Sequence, residues 1–187
     1  MTFIEGWCSP EKTEFLKVLV RRINPKIVVE LGVYGGASLI PIAENVSSDC
    51  EVFAVDPWKK GPTLEGYTPK DENYVWWNEL DLEKIYNGFI RALKERNLTN
   101  CTILRTMSTD AVNGFKDNTI DLLHQDGNHS EKVSVEEVEL YLPKMKRQSC
   151  WIMDDTDWDT TLKAQELLKI NGYTPEAFKT YTCFTRY

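Results

Sequence analysis

Asp126, His129 and the consecutive pair Asp154-Asp155 are the residues of this sequence whose types and spacing could do chemistry. In Asp126-Gly127-Asn128-His129-Ser130 a carboxylate and an imidazole lie three residues apart. A histidine of ordinary pKa, about 6.5, accepts a proton near neutrality. Both acidic segments follow apolar runs that read as strands, 120–124 and 150–153. Parallel strands deliver their carboxyl ends to one region, so Asp126, Asp154 and Asp155 are expected to converge. Three carboxylates there repel one another unless a cation joins them. An all-oxygen donor set suits Mg2+, Ca2+ or Mn2+ rather than zinc. The plainer alternative is that these acids cap helices and turns. His124, on the strand itself, reads as a satisfied structural histidine.

Positioning such groups takes a regular scaffold, and the chain alternates strand and helix. Ser9-Pro10-Glu11 is a helix start, with a capping serine, proline at the first helical position and an acid at the positive dipole end. Phe15, Leu16, Leu19, Val20 and Ile23 recur at helical spacing, and Asn24-Pro25 ends that N-terminal helix within 1–25. Lys17, Arg21 and Arg22 form a solvated edge. Strands are expected at 27–31, 51–56, from 102, 120–124 and 150–153, and helices at 37–46, 77–96, 111–115, 132–142 and 160–170. Tyr181 to Tyr187, in the tail from Tyr173, alternates like part of an antiparallel edge pair. The fold class expected is α/β: a doubly wound, mostly parallel, Rossmann-like sheet of about seven strands with a C-terminal antiparallel strand and helices on both faces. The whole chain, 1–187, reads as a single domain.

In such sheets ligands bind outside the carboxyl ends of the strands, near the switch in strand order. After the first strand comes Gly32-Val33-Tyr34-Gly35-Gly36, where glycines let the backbone approach a ligand and a helix N-terminus follows. Tyr34 stands where a dinucleotide fingerprint needs its second glycine, and no Gly-Lys-Ser/Thr follows, so neither a pyrophosphate loop nor a P-loop fits. A tight strand-to-helix turn is the alternative. Asp56, ending the second strand, could accept a ribose hydroxyl pair or cap a turn. Met107 and Ser108 could flank a base or start a helix. The segment 59–76 carries Gly61, Pro62, Gly66 and Pro69 and is a candidate lid. Trp58, Trp76 and Trp77 at its ends either belong to the lid or pack the helix.

The net charge of −7 disfavours a nucleic-acid partner. No apolar run reaches the ~20 residues of a membrane span, and residues 1–10 lack a basic, signal-like start. Five scattered cysteines without a CxxC pair suit small core residues in a reducing, cytoplasmic setting.

Taken together, these positions resemble the class I S-adenosylmethionine-dependent methyltransferases over about residues 27–158. Glu30-Leu31-Gly32-Val33-Tyr34-Gly35-Gly36 is similar to their first motif, which meets a sulfonium amino acid rather than a pyrophosphate, and Asp56 to their ribose-binding acid. Asp126 to Ser130 and Ile152-Met153-Asp154-Asp155 resemble the metal-dependent O-methyltransferases that modify sugar hydroxyls. Catechol-type enzymes are similar in layout, with Lys in place of His129 and Asn in place of Asp155. One departure is Lys146-Arg147-Gln148-Ser149, where that family usually has a glycine pair. The resemblance implies S-adenosylmethionine held by Glu30, Gly32, Tyr34, Gly35, Ser38, Asp56, Met107, Ser108 and Asp126. It implies Mg2+ (or Ca2+ or Mn2+) on Asp126, Asp154 and Asp155, with His129 as base. The expected acceptor is a small-molecule hydroxyl, with no nucleic acid or membrane partner and a homo-oligomer compatible. A nicotinamide-dependent oxidoreductase and a non-catalytic nucleoside-binding protein are the competing readings.

Overall fold

The computed structural model describes residues 3–70 and 72–187, apart from the side chain of Asn73. Met1, Thr2 and Asp71, which belong to the N-terminal and lid segments read above, lie outside the described residues. Helix α1 (Pro10–Ile23) begins as the sequence dictates: Ser9 Oγ accepts from the Lys12 backbone N–H at 3.1 Å, and Asn24 closes it in the left-handed conformation. Strand β1 (Ile27–Leu31) follows, then α2 (Leu39–Ala43) and β2 (Glu51–Val55). Helix α2 is shorter than the expected 37–46.

The segment 59–76 is not structureless. It holds the short helix α3 (Lys60–Thr63) and the start of α4 (Glu72–Glu79), and Asn128 Nδ2 donates to the carbonyls of Pro62 and Glu65 at 3.1 and 2.8 Å. Gly66 has a φ of +84° and a Cβ there would fall 2.6 Å from Ser130 Cβ, so only glycine brings this segment so close to the loop after β4. The single long helix expected over 77–96 is divided into α4 and α5 (Leu82–Glu95). Asp81 starts a second helix by accepting from Lys84 N–H at 3.0 Å.

Then come β3 (Cys101–Leu104), α6 (Ser108–Ala111), β4 (Ile120–Gln125), α7 (Glu131–Tyr141), β5 (Met145–Asp154), α8 (Leu162–Ile170), β6 (Thr174–Ala177) and β7 (Tyr181–Arg186). The expected helix at 111–115 is α6 followed by a tight 3-10 turn, Val112–Gly114. The seven strands form one sheet in the order β3-β2-β1-β4-β5-β7-β6. The first five are parallel, and β7 pairs antiparallel with both β5 and β6. The switch in strand order falls between β1 and β4. Exposed Pro175 sits in edge strand β6, where a missing N–H is tolerated.

Strand alternation divides the core. Even-numbered residues Val28, Leu122, Cys150 and Ile152 pack with Leu16, Leu19 and Val20 of α1. Odd-numbered Val29, Leu31, Leu123, Trp151 and Met153 pack on the opposite face, against α7 and α8. All five cysteines are free thiols, and Cys50, Cys150 and Cys183 are buried.

Candidate active site

At the carboxyl ends of the strands the even-numbered face changes from apolar to charged. Glu30 and His124 are register partners on β1 and β4, and both are 0% exposed. His124 Nδ1 lies 3.0 Å from Glu30 Oε2, while Glu30 Oε1 accepts from Ser38 Oγ at 2.8 Å. Asp126 and Asp154 continue the same two-residue period beyond His124 and Ile152. From α1, one turn before Leu16, Lys12 enters this face and is only 4% exposed. Its Nζ is paired closely with Asp154 Oδ2 and lies 3.8 Å from Asp126 Oδ2 and 3.1 Å from His124 Nε2.

Burial opposes the Lys12 charge, but the Asp126 and Asp154 carboxylates outweigh it and raise its pKa. Burial and Lys12 lower the proton affinity of His124, while Glu30 and Asp154 outweigh them and raise it. The 3.1 Å between Nζ and Nε2 leaves room for one proton between the two nitrogens. Asp126 is raised, first by burial and then by Asp154. Asp154 is lowered because His124 and Lys12 overcome its burial.

Asp155 takes a different direction. Consecutive residues leave an extended strand on opposite sides, and Asp155 turns the chain with a positive φ of 48°. Its Oδ2 lies 3.1 Å from His129 Nε2, and Asp126 Oδ1 lies 3.8 Å from the same nitrogen. Burial pushes His129 down to about 4, and burial with Asp154 pushes Asp155 up to about 6. At neutral pH the His129 imidazole is uncharged and stands beside the Asp155 carboxylate. The His129 ring also meets Trp158 edge-on at 5.6 Å.

The carboxylates thus converge as two groups. Asp126 and Asp154 share a centre with His124, their ligand atoms all within 4.8 Å of one another, whereas Asp155 pairs with His129. A divalent ion at that centre would have to share both carboxylates with the Lys12 ammonium. The nearest nitrogen donor, His124 Nε2, already faces that ammonium. With Lys12 where it stands, these residues do not fit a bound Mg2+, Ca2+ or Mn2+.

Beside this wall lies a cavity of about 860 Å3, within the usual size for a small-molecule site. Gly32, Tyr34, Ser38, Asp56, Met107 and Ser108 border it, and so do Lys12, Asp126, His129, Asp154 and Asp155. Glu30 and Gly35 do not: Glu30 is held behind the wall by Ser38 and His124, and Gly35 packs on the Glu5 carbonyl. Gly32 has a φ of +82°, and a Cβ there would fall 2.3 Å from the Asp126 carbonyl oxygen. Glycine therefore brings the ends of β1 and β4 together at the switch point.

Asp56 Oδ2 accepts from the backbone N–H groups of Val33 and Tyr34, both at 3.0 Å, and Oδ1 accepts from Trp58 N–H at 2.6 Å. It therefore fixes the glycine loop while keeping acceptor capacity on Oδ1. Burial raises its pKa against those three donors. Glu137 of α7 also borders the cavity. Its Oε2 accepts from Gln125 Nε2 at 2.9 Å, and burial lifts it to about 7.

The tryptophans separate. Trp58 is 3% exposed, stacks on Phe89 and donates Nε1–H to the Tyr34 carbonyl at 2.8 Å, so it packs the core. Trp76 and Trp77 join Trp7 and Tyr34 in an aromatic wall of the cavity, with ring separations of 5.0 Å (Trp7–Trp76) and 5.9 Å (Tyr34–Trp77).

Sequence reasoning missed Lys12, Glu137 and Trp7, and it placed His124 outside the site. A signal for Lys12 was present: it falls on the stripe of Leu16, Leu19 and Val20, a charge on the buried face of a helix. Glu137 carried the same signal, on the stripe of Val133, Val138 and Tyr141, and Trp7 carried none.

A methyltransferase domain family model matches residues 29–156. The uncharacterized protein y4gI of Sinorhizobium fredii is 28% identical over 142 residues, which is 74% of this chain, and the chain spans only 14% of that protein's length. An O-methyltransferase from Bacillus cereus in complex with S-adenosylhomocysteine superposes with a TM-score of 0.69 at 16% identity, over 98% of this chain and 84% of that one. The O-methyltransferase TomG of Streptomyces achromogenes, in complex with S-adenosylmethionine, gives 0.68 at 13% identity, over 96% and 81%. The family match sets aside the nicotinamide-dependent alternative. The glycine loop at the switch point, Asp56 beside it and the match across all of β1 to β5 except a few terminal residues agree: the chain belongs to the methyltransferase domain family, on a class I S-adenosylmethionine-dependent methyltransferase fold.

Proposed function

We propose that this chain transfers the methyl group of S-adenosylmethionine to a hydroxyl oxygen of a small molecule of sugar or catechol type. The observation that carries the reading is the His129–Asp155 pair, 3.1 Å apart, on the wall of the cavity that the glycine loop also borders. When bound, S-adenosylmethionine supplies an electrophilic methyl on a sulfonium. Gly32 and Tyr34 border the space for its amino-acid end, Asp56 Oδ1 receives a ribose hydroxyl, and Met107 and Ser108 flank the base. Asp126, at the close contact with Gly32, separates cofactor from acceptor.

His129 takes the acceptor's hydroxyl proton as the new C–O bond forms and the C–S bond breaks, and Asp155 stabilises the imidazolium produced. The aromatic wall excludes water from the transfer, and positioning does most of the work. The segment 59–76 acts as a lid whose closed position is held by Asn128 and Gly66. Free thiols throughout suit a cytoplasmic setting.

A second, metal-dependent reading has Mg2+ on Asp126, Asp154 and Asp155. It draws on one observation, the buried Asp154 Oδ1, which has no hydrogen-bond partner, and it requires Lys12 to leave. The primary test uses methyl-labelled S-adenosylmethionine with a panel of catechols and sugar-bearing small molecules. Label should pass to an acceptor oxygen in wild type and fall sharply in His129→Ala. Label transfer by His129→Ala at the wild-type rate would overturn the assigned base.

A further inference from the structure

Resting on that methyl-transfer reading, we propose that Lys12 Nζ stands in the place of a divalent cation between Asp126 and Asp154, and that the chain works without a metal. The ammonium sits on Asp154 Oδ2, with Asp126 Oδ2 at 3.8 Å and His124 Nε2 at 3.1 Å, the three groups that could otherwise gather round an ion. It is a built position. The Ser9 cap fixes the first turn of α1, and Leu16, Leu19 and Val20 anchor the next turns on the sheet, so the Lys12 backbone has little freedom to withdraw. The strands prepare the receiving side as well: Glu30 holds the other nitrogen of His124 at 3.0 Å and keeps Nε2 turned toward Lys12.

A divalent ion and an ammonium on the same two carboxylates repel. At the effective dielectric of a protein site that repulsion is strong enough for one cation to exclude the other. Lys12 and His129 both border the cavity. An ammonium has three N–H donors, so beyond those on Asp154 and His124 a third is left for Asp126 or for an acceptor oxygen in the cavity. Lys12 then does two things a metal would do: it balances the carboxylates and draws the acceptor oxygen to a fixed point. It polarises that oxygen less than a divalent ion would, which leaves the proton to His129.

The test uses the full chain stripped with EDTA. Mn2+ is added and its free electron paramagnetic resonance signal followed, for wild type and for Lys12→Met. Wild type should leave the free signal unchanged at millimolar Mn2+. Lys12→Met, which keeps the bulk and removes the charge, should gain at least about a hundredfold in Mn2+ affinity as that repulsion is relieved. Tight uptake of Mn2+ by wild type overturns the proposal. A folded Lys12→Met protein that takes up no Mn2+ overturns it too, because the carboxylates would then not be a cation site waiting behind the lysine. Should Lys12→Met fail to fold, the wild-type titration alone decides. Calorimetric titration with S-adenosylhomocysteine keeps the two readings apart: no binding by wild type sinks the methyl-transfer reading, whereas the Mn2+ result bears on Lys12.

Discussion

The cavity has two walls of opposite character. One is the charged face at the ends of β1, β4 and β5, where buried Glu30, His124 and Lys12 and half-buried Asp154 are paired with one another. The other is aromatic, made by Trp7, Tyr34, Trp76 and Trp77, and Trp7 is 66% exposed. Each buried charge on the first wall is tolerable only because its partner is in place, so that wall is rigid and sensitive to any single loss. The second wall gains from apolar contact and ring packing, which depend little on one partner. His129 lies beside the charged wall without belonging to it. Its imidazole is driven neutral by burial, while carboxylates raise the proton affinity of His124 on the strand just before it. The proposed base is thus the histidine that stays uncharged, and the other is the one held among charges.

The largest effect that would sharpen this contrast is on rate. His129→Ala should lower kcat by ~10²–10⁴-fold, the usual contribution of a general base, with the melting temperature close to wild type. Next is Asp154→Ala, which leaves the Lys12 ammonium buried without its closest partner. A loss of about 3–5 kcal/mol is expected in urea denaturation, and a loss under about 1 kcal/mol would show that the charged wall is not the rigid one.

The pH profile comes third. Asp155 is raised to about 6, so its ionised form is lost as pH falls through that value rather than through the ordinary carboxyl range. His129 stays neutral down to about 4. The kcat/KM profile should fall on the acid side with an apparent pKa of about 6, and Asp155→Asn should move the limb toward about 4. An unmoved limb would detach Asp155 from the base. The smallest effect is Trp76→Ala on the aromatic wall. Stability should change by less than about 1 kcal/mol, as for a surface-accessible side chain, while KM for the acceptor rises. A larger destabilisation than that of Asp154→Ala would reverse the comparison.

Much of the scaffold was legible because its signals are local. Ser9 and Pro10 start α1, Asn24 ends it, and the runs of Val, Ile and Leu in β1, β2 and β4 are short and apolar as buried parallel strands must be. Asp81 shows where local reading stopped. It lies inside an amphipathic pattern that continues through it, and only the observed cap shows that it divides α4 from α5. The order within segment 59–76 was hidden for a different reason. Gly66 and Asn128 lie far apart in sequence and are joined by contacts that no local pattern records.

The sequence by itself determined the alternation of the five parallel strands with helices, the glycine turn after β1 and the acidic ends of β4 and β5, because each rests on backbone preference or on periodicity within a few residues. Only the tertiary structure decided which face α1 covers. That choice sends Lys12 among Asp126, Asp154 and His124 and leaves Asp155 to His129, because burying a charge demands a partner, and partners that lie a hundred residues apart meet only when the sheet is assembled.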